Sequence, residues 1–280
     1  MKSLGESLTD VIVGAAAQNP PKPDDYIDPE SGLRYCGKCH TPKETEKLFL
    51  GRITKLPINC KCRDEEFAEI RRIKERDRID LLKREGFDDP AIVESRFEAD
   101  TSPEMKESVV CRDYVEHFEE FYGKGKGLVF TGPVGTGKTF YASCIANALM
   151  EKLHPVLVTS ISRYIRSLEG EYGNRNESID YLRKFELVVF DDLGVERNTP
   201  YINELVYAII DGRVRSRKPM IVTTNVSMDV LKQTGSIPIE TARIYDRILS
   251  ACIPVEFKGE NIRRQQARED YVDLKGLLGM

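Results

Sequence analysis

The chain has 280 residues, which is enough for one domain of ordinary size and a smaller module. Its 42 Lys and Arg residues against 46 Asp and Glu residues give a net charge of −4, so nucleic acid would have to be bound by local basic patches. No apolar run approaches the length of a membrane span and the N-terminus is a poor secretory signal, so we expect a cytoplasmic protein with no membrane partner. In that compartment, the seven cysteines indicate metal ligands or buried thiols rather than disulfides.

Composition divides the chain into four predicted segments. They are an N-terminal segment with a Pro-rich linker at 1–30, a cysteine-containing module at 31–66, a highly charged helical linker at 67–104, and the main domain at 105–280. Apolar residues near helical spacing predict an amphipathic helix over 63–85, namely Phe67, Ile70, Ile73, Ile79 and Leu82. A Gly-Phe-Asp-Asp-Pro stretch ends this helix, and another helix is predicted over 105–122.

Four cysteines of the module form two close pairs, Cys36 with Cys39 and Cys60 with Cys62. Four thiolates arranged in this way can close a tetrahedral site, for which Zn²⁺ is the usual metal. His40 is an alternative to one thiolate, and four buried free thiols are the alternative to a metal site. Because so small a module cannot bury enough apolar surface to fold alone, the zinc would be structural. The other cysteines lie in helix or strand patterns and are predicted core residues: Cys111, Cys144 and Cys252.

Short apolar strands alternate with helical patterns in the main domain. The strands are predicted at 128–131, 156–160, 186–191, 219–224 and 252–257. Strands of this kind, each followed by a helix, predict an α/β fold with a five-stranded parallel sheet covered on both faces.

The first of these strands runs directly into a loop that fits the phosphate-loop pattern G-x-x-x-x-G-K-[ST] in full. The loop consists of Gly132, Pro133, Val134, Gly135, Thr136, Gly137, Lys138 and Thr139. Its glycines let successive backbone N–H groups converge on a phosphate, Lys138 adds a positive charge near the terminal phosphates, and the Thr139 hydroxyl can bind Mg²⁺. A dinucleotide-binding loop has no use for the Lys-Thr pair, so the pattern predicts binding of a nucleoside triphosphate together with Mg²⁺.

Polar residues follow two of the later strands. Asp191, at the tip of the third strand, suits a Mg²⁺ ligand, and Asp192 could polarise the attacking water, although its side chain is shorter than that of Glu and hydrolysis would be slow. Asn225 follows the fourth strand and could position that water; a turn-forming role is the alternative. Arg243 and Arg247 lie on one face of a predicted helix, either as a solvated basic face or as an arginine that completes a neighbouring subunit's ATP site.

The order of these motifs resembles the AAA+ ATPases of the DnaC/DnaI helicase-loader type over residues 105–275. The phosphate loop is followed by Phe-Asp-Asp and Thr-Thr-Asn strand ends, by Arg-Ile-Tyr-Asp-Arg-Ile and by Gly-x-Asn-x-Arg. The resemblance implies an AAA+ P-loop domain in which Thr139 and Asp191 hold Mg²⁺ and Asn225 is the sensor-1 residue.

The resemblance also assigns the arginines. It implies that Arg247 is the arginine finger, acting in trans in a self-associated form, with Arg243 able to share this role. Arg263 is implied to be the sensor-2 residue that contacts the phosphates of its own subunit. The chain departs from the family at Asn261, where a serine is expected, and this makes Arg264 a neighbouring candidate for sensor 2.

A helicase loader is the function that the resemblance implies. Such a protein hydrolyses ATP, binds single-stranded DNA with its ATPase domain, and binds a hexameric replicative helicase with its N-terminal region, here the cysteine module and the helix after it. The alternatives are an IstB-like transposition helper ATPase that acts with a transposase, and an adaptor that binds ATP without hydrolysing it. Basic residues and tyrosines between the second and third strands could contact DNA, or form an ordinary amphipathic helix. They include Arg163, Tyr164, Arg166, Tyr172, Arg175, Arg183 and Lys184.

Overall fold

The computed structural model describes residues 20–49, 51–170, 180–194, 199–233, 235, 237–259, 261–264, 268, 271 and 275. The chain divides into two compact units, Met1–Asp77 and Arg78–Met280. The predicted segment boundaries at 30, 66 and 104 remain predictions. Residues 1–19 of the predicted N-terminal segment lie outside the described part of the chain.

Two antiparallel hairpins form most of the first unit. Its strands are β1 (Tyr26–Ile27), β2 (Arg34–Tyr35), β3 (Glu44–Phe49) and β4 (Arg52–Pro57). Strand β1 pairs with β2, and β3 pairs with β4. In the described part of this unit only Cys36, Lys43 and Cys60 are buried, so apart from two sulfur atoms the unit has no apolar core to hold the hairpins.

The buried Lys43 is compensated by the segment before β1. Its Nζ lies 2.6 Å from Asp25 Oδ2 and donates a hydrogen bond to Pro20 O at 3.0 Å. Breaking a buried pair by removing one partner destabilises a protein because a charge is left without compensation. This pair therefore fixes the start of the described chain against β3.

Helix α1 (Lys61–Gly86) begins between the last two cysteines, so that Cys62 lies in its first turn. The predicted helix at 63–85 is confirmed, but its amphipathic character is wrong. Every residue from 69 to 78 is exposed, including Ile70 and Ile73. Charged side chains surround this stretch of helix on all sides, so it buries no apolar stripe of its own.

The second unit contains the parallel sheet and its helices. The helices are α2 (Lys106–Glu116), α3 (Phe118–Lys124), α4 (Lys138–Glu151), α5 (Ile161–Gly170), α6 (Pro200–Arg215), α7 (Met228–Lys232) and α8 (Ile239–Ala251). The strands are β5 (Gly127–Thr131), β6 (Val156–Ser160), β7 (Leu187–Leu193), β8 (Met220–Thr224) and β9 (Cys252–Glu256). All five predicted strands are confirmed; the single helix predicted over 105–122 is instead two helices that meet at His117.

The sheet is parallel throughout, with the strand order β6-β7-β8-β5-β9. Strand β8 is inserted between β7 and β5, so the residues that follow these three strands share one edge of the sheet. Ligands bind at this carboxyl edge in open parallel sheets. Among the described residues, no helix is long and apolar enough to cross a membrane.

Successive residues of each strand face opposite sides, as the pleat requires. On one side Val129, Val188 and Val222 pack against helices α5, α6 and α8. On the other side Leu128, Val189 and Ile221 pack with helices α2 and α4. The sheet is therefore buried on both faces and holds its carboxyl edge rigidly.

Candidate nucleotide-binding site

The glycine-rich loop connects β5 to α4 at the carboxyl edge of the sheet. Gly132 and Gly135 have φ values of +132° and +83°, which L side chains rarely adopt. A Cβ atom at Gly132 would lie 2.2 Å from the backbone oxygen of Phe257. The Thr136 hydroxyl donates to Pro133 O at 2.9 Å, and Val134 is exposed at the tip of the loop. The loop conformation thus depends on glycine at the positions that the motif prescribes.

Lys138 begins helix α4 and its ammonium group is folded back over the loop. Its Nζ donates to the carbonyl oxygens of Gly132 at 2.8 Å and Pro133 at 2.6 Å, and to Asn225 Oδ1 at 3.0 Å. Burial lowers the pKa of this ammonium group. The side chain therefore lies between the loop and the end of β8, and a triphosphate in the loop would replace the neutral carbonyl ligands of the charge with anionic ones.

Asp191 lies next to the first turn of α4. The Thr139 hydroxyl lies 3.0 Å from Asp191 Oδ1 and 3.1 Å from Oδ2, and Thr223 donates to Oδ1 at 2.6 Å. Burial raises the pKa of the Asp191 carboxyl group. A carboxylate and a hydroxyl oxygen side by side are hard oxygen ligands of the type that Mg²⁺ prefers, so these residues fit the predicted metal.

Asp192 differs from its neighbour in both exposure and backbone conformation. Its side chain is exposed, and its φ of +55° is unusual for a residue other than glycine. The negative charge of Asp192 acts on Lys138, which places the two groups near each other. The phosphate loop, both carboxylates and Asn225 are therefore gathered at one edge of the sheet.

The segment after β9 packs on the phosphate loop. Ile262 N donates to Gly135 O at 2.9 Å, and the Asn261 side chain sits where a Cβ of Gly135 would lie. Asn261 Oδ1 also accepts a hydrogen bond from Arg264 N at 3.0 Å and so caps the helical turn at 262–264. Beside the dominant effect of burial, the charge of Arg263 contributes to the pKa shifts of Lys138 and Asp191. The asparagine at this position therefore places Arg263 close to the site.

Arg247 is not in contact with the phosphate loop among the described residues. Its Nε lies 3.2 Å from Asp211 Oδ1, an ion pair without hydrogen-bond geometry. A hydrogen bond to Tyr207 and the charge of Asp211 raise the pKa of the Arg247 guanidinium. Arg243 lies one helical turn earlier and is exposed. Both predicted finger residues therefore lie on α8, where Arg247 is paired with α6 and Arg243 is exposed.

The four cysteines of the first unit come together as predicted. The sulfur atoms of Cys36, Cys39, Cys60 and Cys62 all lie within 4.8 Å of one another. His40 is not part of this group; its Nδ1 lies 3.3 Å from Tyr26 Oη. Since Cys36 and Cys60 are two of only three buried residues in the described part of this unit, a bound ion would take the place of an apolar core there.

The protonation of these thiols fits a metal site. The hydrogen bond to Thr41 lowers the pKa of Cys39 to about 5, whereas the hydrogen bond to Cys60 raises the pKa of Cys62 to about 12. Such opposed shifts arise because sulfurs this close cannot all be thiolates without a cation between them. Bound Zn²⁺ would supply that charge and deprotonate all four thiols.

The structure tests part of the predicted DNA-binding segment. Tyr164 is 8% exposed and lies on the core-facing side of α5, so its ring is not free to stack on a base. Arg163 and Arg166 are exposed on the same helix. Residues 171–179, which contain Tyr172 and Arg175, lie outside the described part of the chain.

Two residues of the site were missed by the sequence reasoning. Thr223 is fully buried and contacts Asp191, and Asp211 pairs with Arg247. Two consecutive threonines at the end of an apolar strand, Thr223 and Thr224 before Asn225, were a usable signal for Thr223. Asp211 offered no such signal, because its partner comes from a different helix.

Comparison with known proteins identifies related sequences. The replicative helicase loader DnaI of Bacillus subtilis (strain 168) is 26% identical over 255 residues, which cover 85% of this chain and 81% of DnaI. The replicative helicase loader DnaC of Escherichia coli (strain K12) is 27% identical over 167 residues, which cover 58% of this chain and 64% of DnaC. A putative ATP-binding protein of insertion sequence IS232 from Bacillus thuringiensis subsp. berliner is 28% identical over 145 residues, or 51% of this chain and 58% of that protein.

A crystal structure of DnaI superposes on this chain with a TM-score of 0.53 at 25% identity, covering 64% of this chain and 98% of that one. The predicted α/β fold, an AAA+ domain with a five-stranded parallel sheet and a cysteine cluster before it, is confirmed. The predicted resemblance to the DnaC/DnaI and IstB-like proteins is confirmed as well. The family model for IstB-like ATP binding proteins matches residues 107–270, more than half of the sequence, and the chain belongs to this family.

Proposed function

We propose that this chain is an ATP-hydrolysing loader that delivers a hexameric replicative helicase onto single-stranded DNA in the cytoplasm. One observation carries the choice of function within the family. The similarity to DnaI extends over 85% of this chain, well beyond residues 107–270, and therefore reaches past the ATP-binding domain. The similarity to the IS232 protein covers 51%.

The residues at the carboxyl edge of the sheet divide the work of ATP hydrolysis. Lys138 holds the terminal phosphates in place of the loop carbonyls that it now contacts. Thr139 and Asp191 would hold Mg²⁺, which would supply positive charge to the phosphate oxygens. Asn225 and Asp192 orient and polarise the attacking water, and Arg263 contacts the phosphates of its own chain.

Arg247 acts on a neighbouring copy in this proposal. It lies on α8 and contacts Asp211 rather than its own phosphate loop, which leaves it able to serve a site on another chain. An arginine supplied by a second subunit stabilises the charge that develops on the transferred phosphoryl group. ATP hydrolysis then depends on assembly.

Turnover tests the ATPase. ATP hydrolysis is measured for the wild type, Lys138→Ala and Asp191→Ala, with and without single-stranded DNA and the replicative helicase of the source organism. We expect the wild type to exceed both variants in at least one of these conditions. Equal rates throughout would support the adaptor that binds ATP without hydrolysing it.

A mixing experiment tests the arginine in trans. Arg247→Ala keeps an intact phosphate loop and Lys138→Ala keeps an intact Arg247, so neither variant alone should hydrolyse ATP well. A mixture should regain part of the activity, because some interfaces combine the intact loop with the intact arginine. A mixture no more active than its components would argue that Arg247 serves its own chain or none.

The second candidate function is the transposition helper, which is favoured by the similarity to the IS232 protein. Capture of partners distinguishes this function from helicase loading. The full chain is used as bait for purified replicative helicase and for the transposase, with Cys39→Ser as the variant that disrupts the cysteine module. We expect helicase capture by the wild type and its loss with Cys39→Ser. Capture of the transposase alone would favour the transposition helper.

A further inference from the structure

Thr223 connects the two carboxylate residues near the end of β7, Asp191 and Asp192. Its side chain is fully buried in β8, and its hydroxyl donates to Asp191 Oδ1 at 2.6 Å. The hydroxyl oxygen of Thr223 also accepts a hydrogen bond from the backbone N–H of Asp192 at 2.9 Å. A threonine hydroxyl has one proton to donate and two lone pairs to accept with, so both bonds form together.

The backbone between β7 and β8 is irregular at this point. Phe190 pairs with Val222 and Leu193 pairs with Thr224, so Asp191 and Asp192 together lie opposite the single residue Thr223. An extra residue in one strand is a β-bulge, which leaves one backbone group without its ladder partner and redirects a side chain. Here the Thr223 hydroxyl takes the place of that partner for the Asp192 N–H.

The bulge also explains the backbone conformation of Asp192. Its φ of +55° is sparsely populated for residues other than glycine, and such conformations persist only where neighbouring contacts enforce them. With this turn Asp191 points toward Thr139 while Asp192 is exposed at the edge of the sheet. The two adjacent carboxylates can therefore serve different purposes.

We propose that Thr223 is a positioning residue that orients both carboxylates of the ATP site. The inference rests on the proposed ATPase function. The Thr139 hydroxyl, which also contacts Asp191, belongs to a proposed Mg²⁺ ligand, whereas the Thr223 hydroxyl contacts the carboxylate from strand β8 and is fully buried. Thr223 thus fixes Asp191 for the metal and, through the backbone, fixes Asp192 for the water.

Two substitutions at this position separate the hydroxyl from packing. Thr223→Val keeps the shape of the side chain and removes both hydrogen bonds, whereas Thr223→Ser keeps the hydroxyl and removes a methyl group. Loss of a residue that orients a metal ligand commonly weakens metal affinity or activity by about 10- to 100-fold. We expect Thr223→Val to show a loss of this size and Thr223→Ser to stay near the wild type.

Thr159→Val is the matched control. Thr159 is buried at the end of the neighbouring strand β6, and its hydroxyl donates only to Ser160 O, at 3.3 Å, among the described residues. Removing this hydroxyl also places a valine at the edge of the sheet but leaves both carboxylates untouched. We expect it to keep the wild-type Mg²⁺ dependence.

The experiment measures Mg²⁺-dependent binding of a non-hydrolysable fluorescent ATP analogue, with kcat and KM determined separately. For Thr223→Val we expect a higher Mg²⁺ concentration at half-saturation and a lower kcat, with binding of the analogue in the absence of Mg²⁺ unchanged. Thr223→Ala is measured in the same way, so that poor folding of one variant does not decide the result.

Three outcomes would overturn the proposal. They are wild-type Mg²⁺ dependence in Thr223→Val and Thr223→Ala, an equal defect in Thr223→Ser, and an equal defect in Thr159→Val. The binding assay needs no turnover, so failure of this inference is distinct from failure of the ATPase. The ATPase fails only if the wild type hydrolyses ATP no faster than Lys138→Ala.

Discussion

Replacing Gly135 with alanine should weaken ATP binding through two separable effects. An L side chain at a φ of +83° is strained by about 1–2 kcal/mol. The new Cβ would also lie 2.2 Å from Asn261 Oδ1, so the Asn261 side chain has to move away. That movement breaks the cap on Arg264 N, and loss of a helix cap costs about 1 kcal/mol.

The two effects predict different penalties in two backgrounds. In the wild type, Gly135→Ala should cost the phosphate-binding conformation of the loop about 2–3 kcal/mol. Because the free loop can relax out of this conformation and ATP must restore it, the cost appears in binding as roughly 30- to 150-fold in affinity. In an Asn261→Ala background the clash and the cap are already gone, and only the strain of about 1–2 kcal/mol remains. The coupling between the two substitutions should therefore be about 1 kcal/mol, or roughly fivefold.

Titration of all four proteins with a fluorescent ATP analogue completes this double-mutant cycle. If Gly135→Ala lowered the affinity for the analogue equally in both backgrounds, the contact of Asn261 with the loop would be refuted. Wild-type affinity in Gly135→Ala would refute the loop conformation itself. Unchanged melting temperatures would show that any loss is local.

Three further substitutions test other parts of the molecule. Arg213 is buried and donates hydrogen bonds to four carbonyl oxygens. Arg213→Ala should therefore lower the free energy of unfolding, measured by urea titration, by about 3 kcal/mol or more. The control Arg183→Ala removes an exposed side chain and should stay within about 0.5 kcal/mol of the wild type. Mass spectrometry of the purified chain should show about one bound zinc ion. Cys39→Ser should lose this ion and the NMR chemical-shift dispersion of the two hairpins, but should still bind ATP. A wild-type chain without metal would contradict the zinc site. Asp211→Asn should break the ion pair that holds Arg247. ATP turnover of the assembled form should then fall by about tenfold, or ~1.4 kcal/mol of activation free energy, while ATP affinity stays the same. Wild-type turnover in this variant would show that Asp211 does not position the arginine.

Motifs with fixed spacing were the part of the site that the sequence could predict. The phosphate loop and Asn225 each follow a strand, Asp191 lies near the end of one, and parallel strands bring their carboxyl ends to one edge. The four cysteines were equally predictable, because each close pair limits where its sulfurs can lie. Local patterns of this kind need no knowledge of the tertiary fold.

Contacts between distant segments could not be predicted in this way. The packing of Asn261 on Gly135 and the pair between Asp211 and Arg247 depend on where whole helices lie. The bulge opposite Thr223 depends on the register between two strands, which propensity does not fix. The prediction of an amphipathic helix failed for a related reason. Ile70 and Ile73 have the spacing of an apolar stripe on one face of a helix, but both side chains are exposed.

Loading of the helicase onto closed circular single-stranded DNA tests the central proposal most directly. A hexameric ring cannot thread onto a circle, so stable helicase–DNA complexes require the ring to open or to assemble around the strand. We predict that this chain with ATP increases the number of such complexes, that Cys39→Ser abolishes the increase, and that Lys138→Ala abolishes or severely reduces it. No increase with the wild-type chain, in the presence of the replicative helicase of its own source, would contradict the account.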